Sequence, residues 1–194
     1  LMRSKPTRSA KWHQKTEPPA IVRGHVVFVD ESGDLGLSPG ASETITVCGV
    51  STTDCRRLER IPRRIRRRLI SRKMRERSEL KFYNSTQRVR EHALHSLASI
   101  SDARVIAFTA RKSQYEDNIR RDPDGFYLSL CGALAECLPM VSGPAGRMRI
   151  VFDARRGNRS RGDKFDDVIL KRTLEGCRRA GHPEPDVRVS RMDS

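Results

Sequence analysis

Among the 194 residues no uninterrupted apolar stretch approaches the length of about 20 residues needed to span a bilayer. The basic N-terminal residues are not followed by the apolar core of a secretory leader either. A membrane-embedded or secreted chain is thereby disfavoured, and a cytoplasmic location is the expectation. Cysteine is scarce and unpatterned: Cys48, Cys55, Cys131, Cys137 and Cys177 are odd in number and never form C-x-x-C. That argues against a zinc ribbon or a disulfide framework, and three of the five fall in apolar patterns where a free thiol packs as a small hydrophobe. Acids are the third deficit, 24 Asp and Glu against 39 Lys and Arg, for a net charge of +15. Such a field draws polyanions, nucleic acid first among them, although a generally Arg-rich surface would carry the same charge.

What is present suffices for one domain. Hydrophobic residues make up 36% and charged residues 32%, a polar balance that still supports a packed core, and the length favours a single domain over two. Residues 1–22 are rich in Lys, Arg, Ser, Thr and Pro without periodicity and read as a basic, mobile arm. Within it Trp12, the only tryptophan, has two uses open to it: stacking on a base or packing on the domain. Residues 23–194 form the domain.

Val26 to Asp30 is a continuous β-branched and aromatic run, as in a central strand covered on both faces. A Gly-, Ser- and Asp-rich turn leads to a second strand, Thr44 to Val50. Asp54 is placed to cap a helix over Cys55 to Arg77, with Leu58, Ile61, Ile65 and Leu69 on one face, unless the helix begins at Pro62 as its first residue. Arg63, Arg64, Arg67, Arg68 and Arg72 crowd the remaining surface, a solvated face or a phosphate-contacting one. A helix from Thr86 to Ile100 follows, with Val89, Ala93, Leu94 and Leu97 apolar, then a strand from Arg104 to Ala110. Ser113 to Val141 breaks near Asp122-Pro123, and its Phe126, Leu130, Leu134 and Leu138 mark a buried helix. A strand from Met148 to Phe152 ends in Asp153, a helix from Asp163 to Ala180 stops at Gly181, and Asp186 to Ser190 is a last strand. This alternation predicts an α/β fold with a mixed sheet.

The acids after the first strand invite four explanations. A calcium loop of the EF-hand kind needs Gly at its sixth place and Glu at its twelfth; counting from Asp30 these are Leu35 and Ala41. Gly33 and Gly36 fit neither G-x-G-x-x-G nor a Walker A loop. The D-x-D nucleophile of haloacid dehalogenases also ends a first strand, but Ser32 stands where the second Asp belongs. A metal site and a simple surface turn remain. Asp153 ends a second apolar strand, and on adjacent parallel strands Asp30 and Asp153 would meet at their carboxyl ends. Converging carboxylates imply a divalent cation, and two Mg²⁺ or Mn²⁺ held by oxygens about 3.5–4 Å apart perform phosphodiester hydrolysis. Glu79, between the Arg-rich region and an apolar segment, is the candidate third ligand.

VDESGDLG after an apolar strand, ELKF after a basic helix, IVFDAR and a closing DS together resemble the prokaryotic domain-of-unknown-function family numbered thirty-eight hundred, over about Val26 to Ser194. The resemblance implies a ribonuclease H-like mixed sheet of strand order 3-2-1-4-5. It also implies a metal-dependent nuclease site in which Asp30 is the central ligand, Asp153 the second strand-end ligand and Glu79 the helix-borne one. Glu31 and Asp34 would serve the loop, and Lys81 of ELK would orient a phosphate or pair with Glu79. Such proteins continue into a further helix carrying a Gln and an Ala-Asp pair; here the chain stops at Ser194, so the resemblance implies either that Asp193 substitutes or that this is a fragment short of one ligand.

The resulting expectation is a nuclease using two Mg²⁺ or Mn²⁺ on DNA or RNA, with catalysis on Asp30, Glu79 and Asp153, metal held by these and Asp193, and phosphate contacts from the arginines above and Lys81. The alternative is a catalytically inactive nucleic-acid-binding or protein-interaction module of the same fold. A third option is a phosphatase acting on small phosphates.

Overall fold

In the computed structural model the described residues are 24–70, 84–153 and 162–192; the basic arm, Trp12, Arg72, Glu79, Lys81 and Asp193 lie outside them. In chain order the elements are β1 (Gly24–Ser32), β2 (Thr44–Thr52), α1 (Cys55–Leu69), α2 (Gln87–Ala98) and β3 (Arg104–Arg111). A 3₁₀ turn then leads to α3 (Glu116–Arg121), α4 (Pro123–Ser142), β4 (Arg147–Asp153), α5 (Gly162–Arg179) and β5 (Asp186–Met192). The five strands form one mixed sheet ordered β3-β2-β1-β4-β5, antiparallel from β1 to β3 and parallel from β1 to β5. This is the order the resemblance implies, and the strands run one or two residues longer than the apolar runs alone suggest.

The parallel pairs need crossovers, and α4 and α5 supply them on one face. Val27 and Val29 of β1, Ile45 and Val47 of β2, and Met148, Ile150 and Phe152 of β4 pack there against Phe126, Tyr127, Leu134 and Leu138 of α4 and Phe165 and Ile169 of α5. The strand read as covered on both faces is the middle one of the sheet, and burial alternates along it, with Val27 and Val29 buried and Val26 and Phe28 partly so. An apolar run does not distinguish a doubly covered strand from one with a helix layer on one side and a more open surface on the other.

Helix α1 passes straight through Pro62, so it does not begin there. Asp54 caps it from before Cys55, its side chain accepting from the Arg57 amide at 3.2 Å, and the apolar stripe continues across the proline. At α2 the helix expected from Thr86 begins at Gln87 with Thr86 as its cap, but Leu94 is 57% exposed; only Val89 of that helix is buried. Asp122 breaks the α3–α4 segment by accepting from the Gly125 amide at 3.0 Å ahead of Pro123. Helix α4 is long and apolar enough to cross a membrane by composition; here it is the helix that packs on the sheet. Gly181 ends α5 at φ +67° with the paired bonds His182 N–H to Cys177 O and Gly181 N–H to Arg178 O. All five cysteines are free.

Candidate active site

The last β1–β4 pair is Val29 with Phe152. Both side chains are buried under the helices, where Phe152 meets the Phe165 ring edge-on at 4.9 Å. Side chains alternate along a strand, so the next residue of each, Asp30 and Asp153, turns to the opposite face, away from α4 and α5. Both are exposed. The two sequence-predicted ligands therefore each follow the last registered pair of adjacent parallel strands. Asp30 also faces Cys48 of β2, and Asp153 faces Met192 of β5; Asp193 lies outside the described residues. The Asp30 carboxylate accepts from the Glu31 amide at 2.8 Å. Burial and then the Asp30 charge push the Cys48 thiol up. Among the described residues no three His, Cys, Asp or Glu side chains gather into a metal-sized cluster.

The other acids of DESGD have different employment. Glu31 lies on the helix-covered face, opposite Val47, and its Oε2 accepts from the Tyr127 hydroxyl of α4 at 3.0 Å. Asp34 organises the β1–β2 loop: Oδ1 accepts from the Gly36 amide at 2.7 Å, Oδ2 from the Ser42 amide at 2.9 Å, and its own amide donates to Ser42 Oγ at 3.0 Å. Buried Lys112 donates to Asp34 Oδ1 at 3.3 Å and to the Gly36 carbonyl at 2.5 Å. These donors, the Ser42 amide above all, hold the Asp34 carboxyl down at about 2. Gly33 completes the turn at φ +95°, where a Cβ would run into the Thr44 carbonyl oxygen.

On α1 the predicted Arg63, Arg64, Arg67 and Arg68 are all exposed. At 100° per residue the side directly opposite buried Ile65 is a straight stripe of Arg56, Arg60, Arg63 and Arg67, with Arg64 on its flank and Arg68 turned back toward the Ile65 side. The stripe includes two arginines that the sequence reading missed because Pro62 obscured where the helix begins; helical spacing counted from Asp54 finds them. Helix α1 leaves the sheet just after Thr52, which pairs with Val26. Its start thus lies at the end of β1 opposite Asp30.

A second polar cluster escaped the sequence altogether. Asp102, in the turn before β3, accepts from the Thr52 hydroxyl at 3.1 Å, the Thr53 amide at 2.6 Å and the Thr53 hydroxyl at 2.5 Å. These bonds, led by the Thr53 hydroxyl, hold its carboxyl near 2. Nearby, His25 Nδ1 lies 3.3 Å from Ser51 Oγ, which accepts from the Ser142 hydroxyl at 2.7 Å.

The chain matches no known protein-family model and no curated protein.

Proposed function

We propose that the domain is a ribonuclease H-like, metal-dependent nuclease that hydrolyses nucleic-acid phosphodiesters. The observation that carries this reading is the parallel register that brings Asp30 and Asp153 together, exposed, at the carboxyl ends of the two central parallel strands. In open α/β sheets that is where ligands bind. Two adjacent carboxylates are hard oxygen donors, which fit Mg²⁺ or Mn²⁺. Asp30 and Asp153 would hold the metal, with Glu79 and Asp193 the proposed further ligands. Bound there, two such ions would supply an activated water and stabilise the leaving oxygen.

The chain's own residues contribute placement. Asp34 and Lys112 fix the loop after β1, and Tyr127 anchors Glu31 to α4, so Asp30 is presented from a rigid strand end. The arginine stripe of α1 starts at the far end of the sheet, which suits a polymer better than a small phosphate ester. Mn²⁺-dependent cleavage of labelled DNA and RNA tests the reading, and cleavage that persists in Asp30→Ala rejects it. The stripe alone also favours a second reading, nucleic-acid binding without cleavage. Calorimetry separates the two, because a protein that binds oligonucleotide but no Mn²⁺ fits only the second.

A further inference from the structure

On the face of the sheet away from α4 and α5, Arg149 of β4 stands directly opposite Arg188 of β5, with Val151 of the same face buried. The face is fixed by their neighbours: Met148 and Ile150 are core residues, and Val187 and Val189 pack against that core. Arg149 and Arg188 therefore project the other way, the way of Asp30 and Asp153. Both are exposed, and Arg147 shares the surface. Like charges directly opposite across a strand pair are unfavourable, and little here relieves them. Asp186 is shared, its Oδ2 lying 3.4 Å from Arg147 Nε and 3.5 Å from Arg188 NH2. Among the described residues Arg149 has a neutral partner, donating from Nε to Ser190 Oγ at 3.3 Å. Counting described residues alone, three guanidinium groups face one carboxylate in this patch.

We infer that Arg149 and Arg188 form a phosphate clamp that holds the sugar–phosphate backbone of a nucleic acid on this sheet face, upstream of the acidic pair. This rests on the nuclease reading for its substrate class. The geometry supplies the track. Arg149 is in register with Val26 of β1, and Val26 with Thr52 of β2, the residue after which the chain enters Arg-rich α1. Along β4, Arg149 precedes Asp153 by four residues, about 13 Å at strand rise. A backbone gripped between the facing guanidinium groups would thus reach toward the arginine stripe on one side and the carboxylates on the other. Each guanidinium offers a bidentate fork to phosphate oxygens, and an anion between the two converts their repulsion into shared attraction.

The test is fluorescence anisotropy with single-stranded and duplex oligonucleotides in EDTA, from 50 to 200 mM salt, for the wild type, R149Q, R188Q and the double variant. R121Q, which removes one exposed arginine from α3, is the charge-matched control for each single variant, and R104Q/R121Q, two exposed arginines away from β4 and β5, for the double. The double variant should bind roughly tenfold or more weakly, and the slope of log K against log salt should flatten by about 0.7 per lost contact on single strands or about 0.9 on duplex. R121Q and R104Q/R121Q should stay within about twofold of wild type, and the melting temperature of the double variant should not fall, because a like-charge pair is removed. Which oligonucleotide loses more tells single-strand from duplex binding. Wild-type protein that binds neither, or a double variant that matches R104Q/R121Q, overturns the clamp. The nuclease reading fails separately, through Mn²⁺-dependent cleavage that survives Asp30→Asn.

Discussion

Asp30 and Asp153 occupy the first positions past the Val29–Phe152 pair, on adjacent parallel strands and facing away from the helices. Two such neighbouring carboxylates repel one another when no cation lies between them. Replacing either with Asn should abolish Mn²⁺-dependent cleavage by at least about a hundredfold, the several kcal/mol of charge stabilisation that a metal contributes. Oligonucleotide binding in EDTA should hold or tighten, and metal-free thermal stability should hold or rise. A variant that loses binding and fold together would instead assign these acids a structural role.

Pro62 interrupts α1 from within. It lacks the amide that would bond the Leu58 carbonyl, and it is exposed. Pro62→Ala should stabilise the helix by about 1–3 kcal/mol on intrinsic propensity, read as a rise of several degrees in melting temperature for a chain this long. Slower amide exchange should follow on both sides of position 62. Unchanged exchange would mean that Pro62 makes a packing contact worth as much as the lost bond.

Acid should unfold the protein in two stages. Burial lowers the pKa of His25 below its ordinary 6.5, only partly offset by the nearby Asp102 charge. The unfolded state then binds the proton first, so stability falls as pH drops below about 6.5. Asp34 and Asp102 are both held at about 2 against an ordinary 3.8. Their contribution is complete above the unfolded value and is lost as pH falls from about 4 toward 2. Urea titrations at stepped pH should show both stages. His25→Asn should flatten the upper one, and Asp102→Asn should reduce the lower one while lowering stability at neutral pH. Neither substitution should alter the other's stage beyond their mutual electrostatic coupling.

The strands and most of the helices were legible because apolar periodicity and the caps Asp54 and Gly181 are local signals. Asp30 and Asp153 were legible as strand-end acids, and only the parallel pairing of β1 with β4 makes them neighbours. What the sequence concealed depends on register or long-range contact. The Arg149–Arg188 pair needs the β4–β5 alignment, the Tyr127–Glu31 bond joins residues 96 positions apart, and the Asp102 bonds cross between two turns. Leu94 misled because a helical period marks a face without saying whether anything covers it.

Gly176 sits where α5 crosses α4 at closest approach, and a Cβ there would collide with the Glu136 carbonyl oxygen. The same Glu136 draws both Arg172 and Arg179 of α5 onto its carboxylate. Gly176→Ala must push the helices apart and strain those bridges, so a loss of about 1–3 kcal/mol is expected, typical of overpacking, with a melting temperature lower by several degrees. Glu136→Gln keeps the contact surface and should cost less. Equal losses would place the energy in the ion pairs.

Glu31 tests whether adjacency to Asp30 in sequence means a share in its chemistry. The strand sends the two acids to opposite faces, and Glu31 accepts from Tyr127 on the helix side. Tyr127→Phe should remove one hydrogen bond to a charged, partly exposed acceptor, a cost of about 1–2 kcal/mol. Glu31→Gln still accepts that bond and should cost less. Both variants should retain Mn²⁺-dependent cleavage within a few fold, with the metal concentration for half-maximal rate unmoved, whereas Asp30→Asn retains none. A Glu31→Gln protein that folds normally but needs far more Mn²⁺ would move Glu31 into the metal site, and the alternation of β1 would then have to break at its carboxyl end.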